Sequence, residues 1–525
     1  MNPHPTTLPL PQCGKQRQHL VTEHTAHDAR RTHRTLVLTA LVVAMFLAAI
    51  EGTIVATAMP SIASRLGGFS LYSWVFSSYL LMQAVTTPVF GKLADLYGRK
   101  PVFIGGVTIF LLGSLLCGFA DSMGMLVAFR FVQGIGAGAV LPMSATLAGD
   151  LYSIRERGRI QGYLASVWGI SSIIGPLAGG VIVENIDWHW IFWLNLPFGV
   201  ISIALISLFL HESVQHRERS IDYTGTALLL VGLSALMLAL TQAGEWGGAP
   251  TLALALIATL ALIAFVRQQR SAPDPIMHFE LWSNPIIRRG NLAILFAGVA
   301  MIGLITFLPT FVQGVLGGSA LEAGFTLSGM SLGWPIASVF AGRTFLRFGV
   351  RTLTRAGGVF VTLGGLIVAS LAGQGAVPAA IGAFFMGMGL GLLNTTYIVA
   401  IQTSVSWQQR GVATATNMLM RNLGNAVGAA LLGGVLNARI AAYIDQRGLA
   451  SVISLDSVRQ LIERGDGAAV SIPAEALAVL RDGLSASLIL VFWAVAAFAA
   501  VVLLISWRVP DLHPDRILEH EGTRG

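Results

Sequence analysis

Residues 155–180 read RERGRIQGYLASVWGISSIIGPLAGG, and residues 408–433 read QQRGVATATNMLMRNLGNAVGAALLG. The two align without gaps at an offset of 253: Arg157-Gly158 falls on Arg410-Gly411, Gly175 on Gly428 and Gly180 on Gly433. The ladder Gly134, Gly136, Gly138 recurs at the same offset as Gly387, Gly389, Gly391. GKLADLYGRK (91–100) has a degraded copy, two residues out of step, in GRTFLRFGVR (342–351). One match between glycine- and alanine-rich segments is expected by chance; several in register are not. The chain reads as two related halves.

Composition says what the halves are made of. The 525 residues are 54% hydrophobic and only 11% charged, with a mean hydropathy of +0.71. A soluble domain carries about 25% charge. A deficit spread over the whole length reads as an all-α integral membrane protein, and the 59 glycines suit close approach between membrane helices. A spanning helix needs about 20 mostly apolar residues, and fourteen candidate segments lie between residues 36 and 507. Copies about 250 residues apart imply eight spans per interval. The simplest division is a six-helix half at 36–210, two extra helices with their loops at 211–288, and a second six-helix half at 289–507. The extra spans, 223–242 and 251–266, are the least distinct.

Loop charge orients the chain. With the N-terminus inside, the cytoplasmic segments hold Lys92, Arg99, Lys100, Arg155, Arg157, Arg159, Arg217, Arg219, Arg267, Arg270, Arg288, Arg289, Arg347, Arg351 and Arg355, whereas the short outer loops hold Arg65 and little else basic. This asymmetry is the positive-inside pattern. It puts the tails 1–35 and 508–525 in the cytoplasm, and it accounts for the net charge of +7 without nucleic acid. The N-terminal tail reads as disordered. No cleavable signal is expected, because polar sequence precedes the first apolar run. The long outer connection, 437–485, ends in PAEALAVLRDGL, which reads as short amphipathic helices outside the membrane. Cys13 and Cys117 neither pair nor cluster, and no metal-ligand spacing, nucleophile–base arrangement or GxxxxGK[ST] loop is present. The expectation is a non-enzyme with no cofactor.

Within this apolar background a few charges stand out. Glu51 interrupts the run VAMFLAAIEGTIVATAMP (43–60). At 1.5 Å per residue it lies about 23 Å from the cytoplasmic edge of the first span. Arg130, on the inward-running fourth span, lies about 20 Å from the same edge of a ~30 Å core. An unpaired charge at that depth costs at least ~2.5–3.5 kcal/mol on insertion scales. The two are expected to share a polar network with Gln133. Two readings stand: a fixed ion pair, or a carboxylate whose protonation changes as the site opens to either side. Arg421, in NMLMRNLGNAVG, has no obvious acidic partner, and gating, substrate contact and helix packing all remain open for it. Met45, Tyr79, Trp168, Trp334, Asn394 and Tyr397 are candidates, with Arg421, for the wall of a central cavity.

The motifs together resemble the major facilitator superfamily, specifically its fourteen-helix drug:proton antiporters of the EmrB/QacA type, from about residue 36 to 507. GKLADLYGRK looks like the loop between the second and third helices, RFVQGIGAG like the fourth-helix motif, and GISSIIGPLAGG like the fifth-helix motif of antiporters. WHWIFWLNLPFG is similar to the start of the sixth helix, with His189 where Arg is usual. DPIMHFELW is similar to the segment before the second half. The first-helix signature carries Glu51 where Asp is usual.

The resemblance implies a major facilitator fold and roles for these residues. Gly91, Asp95, Gly98, Arg99 and Lys100 would form a gating loop that latches the halves, with Asp95 accepting from a neighbouring helix N-terminus or pairing with a basic residue. Gly169, Gly175, Pro176, Gly179 and Gly180 would form the smooth, bendable face tied to antiport. Glu51 would carry the proton, tuned by Arg130 and Gln133. The expected activity is export of drug-like amphipathic compounds, cationic or neutral, across the cytoplasmic (inner) membrane in exchange for protons. A periplasmic adaptor would be a partner in a cell with an outer membrane. The rivals are an exporter of one endogenous molecule, such as a lipid or siderophore, and a non-transporting accessory protein of an envelope complex. A buried charge pair argues against the accessory protein.

Overall fold

The computed structural model describes residues 32–67, 71–212, 222–242, 248–273, 279–318, 320–446 and 474–510, together with 275 and 277. The N-terminal tail up to residue 31, the C-terminal tail beyond 510 and the middle of the outer connection lie outside the described residues. The first half comprises α1 (Arg34–Leu66), α2 (Tyr72–Tyr97), α3 (Arg99–Cys117), α4 (Met123–Leu151), α5 (Ile154–Asn185), the short α6 (Trp190–Trp193) and α7 (Asn195–Phe209). Two separate helices follow, α8 (Tyr223–Gln242) and α9 (Gly248–Ser271). The second half comprises α10 (Pro285–Gly314), α11 (Ala320–Leu371), α12 (Ala376–Thr403), α13 (Arg410–Gln446) and α14 (Ala474–Trp507).

Among the described residues, eleven helical stretches are long and apolar enough to cross a membrane. One of them, Glu322–Gln374, is 53 residues long and turns at Gly349, whose φ of 71° only glycine adopts without penalty. Gly98 makes the same turn between α2 and α3, with φ 94°. These two glycines close the GKLADLYGRK segment and its degraded copy, so the repeat persists as backbone geometry where the side chains have diverged. The connection expected over 437–485 is helical at both ends. Residues 437–446 continue α13 and residues 474–485 begin α14, rather than forming short helices of their own. The apolar positions of PAEALAVLRDGL join directly to the apolar run that follows, so nothing stops the helix there.

Each half buries its own core. Phe103, Val107 and Phe110 of α3 pack with Leu41 of α1 and Ala137 of α4 in the first half. Phe311 of α10, Val361 of α11, Leu393 of α12 and Phe492 of α14 pack in the second. The halves meet along two seams, α2 against α13 and α5 against α11. Helices α8 and α9 pair with each other, and Leu229, Leu233 and Met237 of α8 pack on Leu81 and Val85 of α2 and Leu419 of α13. The extra pair thus covers the outside of the α2–α13 seam.

The seams are tight because glycines face across them. A Cβ on Gly91 would lie 2.5 Å from the Ala415 Cβ and 3.0 Å from the Gly411 oxygen. On the other seam, Gly158 and Gly342 face each other backbone to backbone, and a Cβ on either would overlap the other. Small residues remove the steric limit on helix approach.

Candidate functional site

Glu51 is fully buried on α1, and both of its oxygens are partnered. Arg130 Nη1 of α4 donates to Oε1 at 2.6 Å, and Asn195 Nδ2, at the start of α7, donates to Oε2 at 2.8 Å. The Arg130 guanidinium donates further to Gln133 Oε1 at 2.8 Å and to the Val75 carbonyl at 3.0 Å, and it lies 4.2 Å above the Tyr79 ring. Asn195 also donates to the Ser114 hydroxyl, at 2.8 Å, which Gln133 Nε2 reaches at 3.2 Å. Five helices of the first half therefore converge on one carboxylate: α1, α2, α3, α4 and α7. The pairing offsets much of the burial penalty of both charges, because both carboxylate oxygens and the guanidinium Nε and Nη1 find partners. Glu51, Arg130 and Gln133 are the three residues expected together. Asn195 and Ser114 were not singled out. Asn195 stands as the one amide in FWLNLPFG, which is the only signal it leaves.

A second network ties the halves at the opposite end of these helices. The backbone N–H groups of Gly411 and Val412, at the start of α13, donate to Asp95 Oδ1 at 3.0 Å and Oδ2 at 2.8 Å. Arg99 Nη2 lies 2.9 Å from Asp95 and donates to the Trp407 carbonyl at 2.7 Å, with its guanidinium 3.9 Å above the Trp407 ring. Asp150, at the end of α4, bridges Arg99 at 3.0 Å and Arg410 of the second half at 2.8 Å. A carboxylate against the first N–H groups of a helix is favoured by both hydrogen bonding and the helix dipole. Lys100 faces elsewhere: Nζ donates to the Ser207 and Leu210 carbonyls, and its backbone N–H donates to Glu212. At the position on the other seam that corresponds to Asp95, the chain has Leu346, so the carboxylate latch is one-sided.

In the fifth-helix motif, Gly169 faces Ser331 and Pro335 of α11, while Gly175 and Gly179 face Thr53, Ile54 and Thr57 of α1. Gly180 faces open space, and the side chain of Pro176 lies outside the described residues. The cavity candidates separate. Arg421, Asn394 and Trp334 line one pocket in the second half, with Ile294, Met301 and Leu390. Trp168 is 44% exposed. Met45 packs against Ile160 and Leu164 of α5, and Tyr397 is buried with its hydroxyl 3.2 Å from Ser506. Tyr397 follows Asn394 by one turn of α12, yet its side chain is packed into the core of the second half. Tyr79 serves as the platform under Arg130 rather than as cavity wall.

Two ion clusters flank the membrane-spanning bodies. His189 pairs with Asp187, which Arg65 reaches at 2.6 Å. Burial works to raise the Asp187 carboxyl, yet hydrogen bonds from His189 and Arg65 hold it below the usual range. At the other end of α5, hydrogen bonds from Ser153 hold the Glu156 carboxyl low in a capping box.

The sequence model of the Major Facilitator Superfamily matches residues 41–429. The chain is 35% identical over 417 residues to "Multidrug transporter protein MdtP" of Bacillus subtilis (strain 168), covering 78% of this chain and 77% of that protein. It is 32% identical over 476 residues to "Multidrug resistance protein 3" of the same organism, covering 88% and 93%. Among solved structures, the human organic anion transporter MFSD10 (TETRAN) superposes with a TM-score of 0.62 over 91% of this chain and 100% of that one, at 14% identity, which speaks to the fold alone. The two-half helical body, the repeated glycine turns and these matches agree: the chain belongs to the Major Facilitator Superfamily.

Proposed function

We propose that this chain is a proton-coupled secondary transporter that exports drug-like amphipathic compounds across the cytoplasmic membrane in exchange for protons. The observation that carries the reading is Glu51, a carboxylate buried deep within the membrane-spanning bundle whose only ion-pair partner among the described residues is Arg130. A carboxylate so placed changes its proton affinity when the surrounding helices separate and water or substrate enters. Cross-half contacts at Asp95 and Asp150 close the cytoplasmic side in this conformation. Their release would let the halves rock about the glycine seams, as expected for parallel repeats with a site between them. The named relatives support drugs as the cargo. Splitting the Glu322–Gln374 stretch at Gly349 and adding α2 and α5 to the apolar stretches brings the crossings to fourteen, with both termini cytoplasmic.

The test is transport in inverted membrane vesicles with an acidified lumen. A cationic dye and a neutral drug should accumulate in the lumen, and a protonophore should abolish the accumulation. Uptake that persists unchanged without a pH gradient would remove proton coupling from this reading.

A further inference from the structure

Two arginines within the membrane body, the buried Arg130 and the half-buried Arg421, are treated differently. Arg130 has a carboxylate at 2.6 Å. Arg421 has none within ion-pair distance among the described residues, and its side chain meets only the Asn394 amide oxygen, at a long 3.5 Å. It sits ten residues into α13 from the Asp95-capped end, or about 15 Å, near the middle of a ~30 Å core. Membrane-embedded charges ordinarily pair or face a cavity inside the bundle, and Arg421 does the second. It opens onto the pocket whose walls include Trp334, Met301, Ile294 and Leu390, with Asn394 at its edge. One turn further along α13, Asn425 Oδ1 is buried without a hydrogen-bond partner among the described residues.

The repeat adds a second, independent observation. At the offset of 253, Arg421 corresponds to Trp168 of α5. Trp168 shares its side of α5 with Gln161, which donates to the Ala145 carbonyl of α4, and lies away from the exposed apolar row Ile170, Leu177 and Val181. Its exposed surface therefore faces the interior. Equivalent positions on the two halves present an aromatic ring on one side and an unpaired cation on the other, at the same depth.

We infer that Arg421, Asn394 and Trp334 form a head-group subsite for the carboxylate of an amphipathic aromatic molecule, whose ring system extends toward Trp168. The inference rests on the export reading for its role in transport, but not for binding itself. A guanidinium in a water-poor pocket forms charge-assisted bonds to a carboxylate, and the apolar walls accept the body. It assigns anionic amphipaths to this site, beside the cationic and neutral compounds that the family resemblance implies.

The test uses the full-length purified protein and three probes of one shape: 2-naphthylacetate, its neutral amide and 2-naphthylethylammonium, measured by calorimetry in neutral detergent. The carboxylate should bind about 10- to 100-fold more tightly than the amide, and the ammonium more weakly still. Arg421→Gln should bring carboxylate and amide within about twofold, while Arg421→Lys keeps part of the preference. Asn394→Asp supplies an internal carboxylate to Arg421 and should abolish the preference while preserving the fold. Equal wild-type affinity for carboxylate and amide overturns the inference. So does a preference that survives both Arg421→Gln and Asn394→Asp, or Arg421-dependent binding of short-chain phosphatidylglycerol with none of naphthylacetate. Carboxylate-selective binding without gradient-driven movement of any probe in proteoliposomes would sink the export reading and leave the subsite standing.

Discussion

Gly411 of the second half donates its backbone N–H to Asp95 of the first at 3.0 Å, across 316 residues of chain. The bond exists only while the C-terminal end of α2 and the N-terminal end of α13 touch. It therefore contributes to one state of the transporter and not to the other, and a ligand or mutation that alters it shifts the balance between states rather than affinity within a state.

Asp95→Asn removes the charge that Arg99 neutralises and turns an amide N–H toward the Val412 N–H, which now donates to Oδ2 at 2.8 Å. Hydrogen bonds to charged groups are worth about 1.5–3 kcal/mol, so the closed state should lose about tenfold or more in population. We expect normal insertion and a transport rate about one tenth of wild type or less. Thr414→Cys, buried beside this seam, should react faster with a small thiol reagent in the Asp95→Asn background. Unchanged rate and unchanged labelling would reduce Asp95 to a loop residue with no part in switching.

The α5–α11 seam depends on close backbone contact at Gly158 and Gly342. Gly342→Ala puts a Cβ into the Gly158 backbone, which cannot move aside as a flexible side chain would. The seam should fail to close, with a transport loss of tenfold or more and raised Thr414→Cys labelling. Gly105→Ala on α3, where a Cβ meets nothing within 4 Å, is the matched control and should stay within about twofold of wild type. Wild-type transport by Gly342→Ala would mean that the halves do not need this contact.

What the sequence carried depends on how far each signal stands out locally. Glu51, Arg130 and Gln133 are legible because a charge or amide inside an apolar run is expensive and demands a partner. Ser114 is invisible, since a small hydroxyl in a membrane helix satisfies itself on its own backbone as readily as it joins a network. Asp150 and Trp407 sit at helix ends among other polar residues, where nothing local marks that Asp150 bonds Arg410 260 residues away. The packing of Tyr397 and Met45 was not legible, because an aromatic or thioether in a mostly apolar helix does not announce which side it faces. Gly98 and Gly349 recur in the repeated segment, but their positive φ is seen only in the folded chain, where it favours glycine whatever the neighbours are.

Orientation is open to a direct test. Ser457→Cys in the outer connection and Tyr97→Cys beside the latch, each in a Cys13→Ser, Cys117→Ala background, should label oppositely. An impermeant maleimide added to intact cells should reach Ser457→Cys only, and Tyr97→Cys, whose parent side chain is exposed, should react after permeabilisation. Labelling of Tyr97→Cys in intact cells would invert the topology drawn from loop charge.

Glu51→Gln tests the centre of the reading. The amide keeps the volume and can still accept from Arg130, but its N–H₂ then faces the Asn195 Nδ2 donor that now bonds Oε2 at 2.8 Å. Arg130 is left as a buried cation with neutral partners, so the melting temperature should fall by a few degrees. The variant mimics a permanently protonated carboxylate. Downhill exchange of labelled for unlabelled drug needs no net proton movement and should continue at a measurable rate, whereas accumulation driven by an imposed pH gradient should disappear. Glu51→Asp should retain gradient-driven transport, since an ionisable group remains within reach of Arg130. Reconstitution of equal amounts of the three proteins, with exchange and accumulation measured on the same vesicles, separates the outcomes. Gradient-driven accumulation by Glu51→Gln at the wild-type level would make the pair a structural tie and move the proton path to another group.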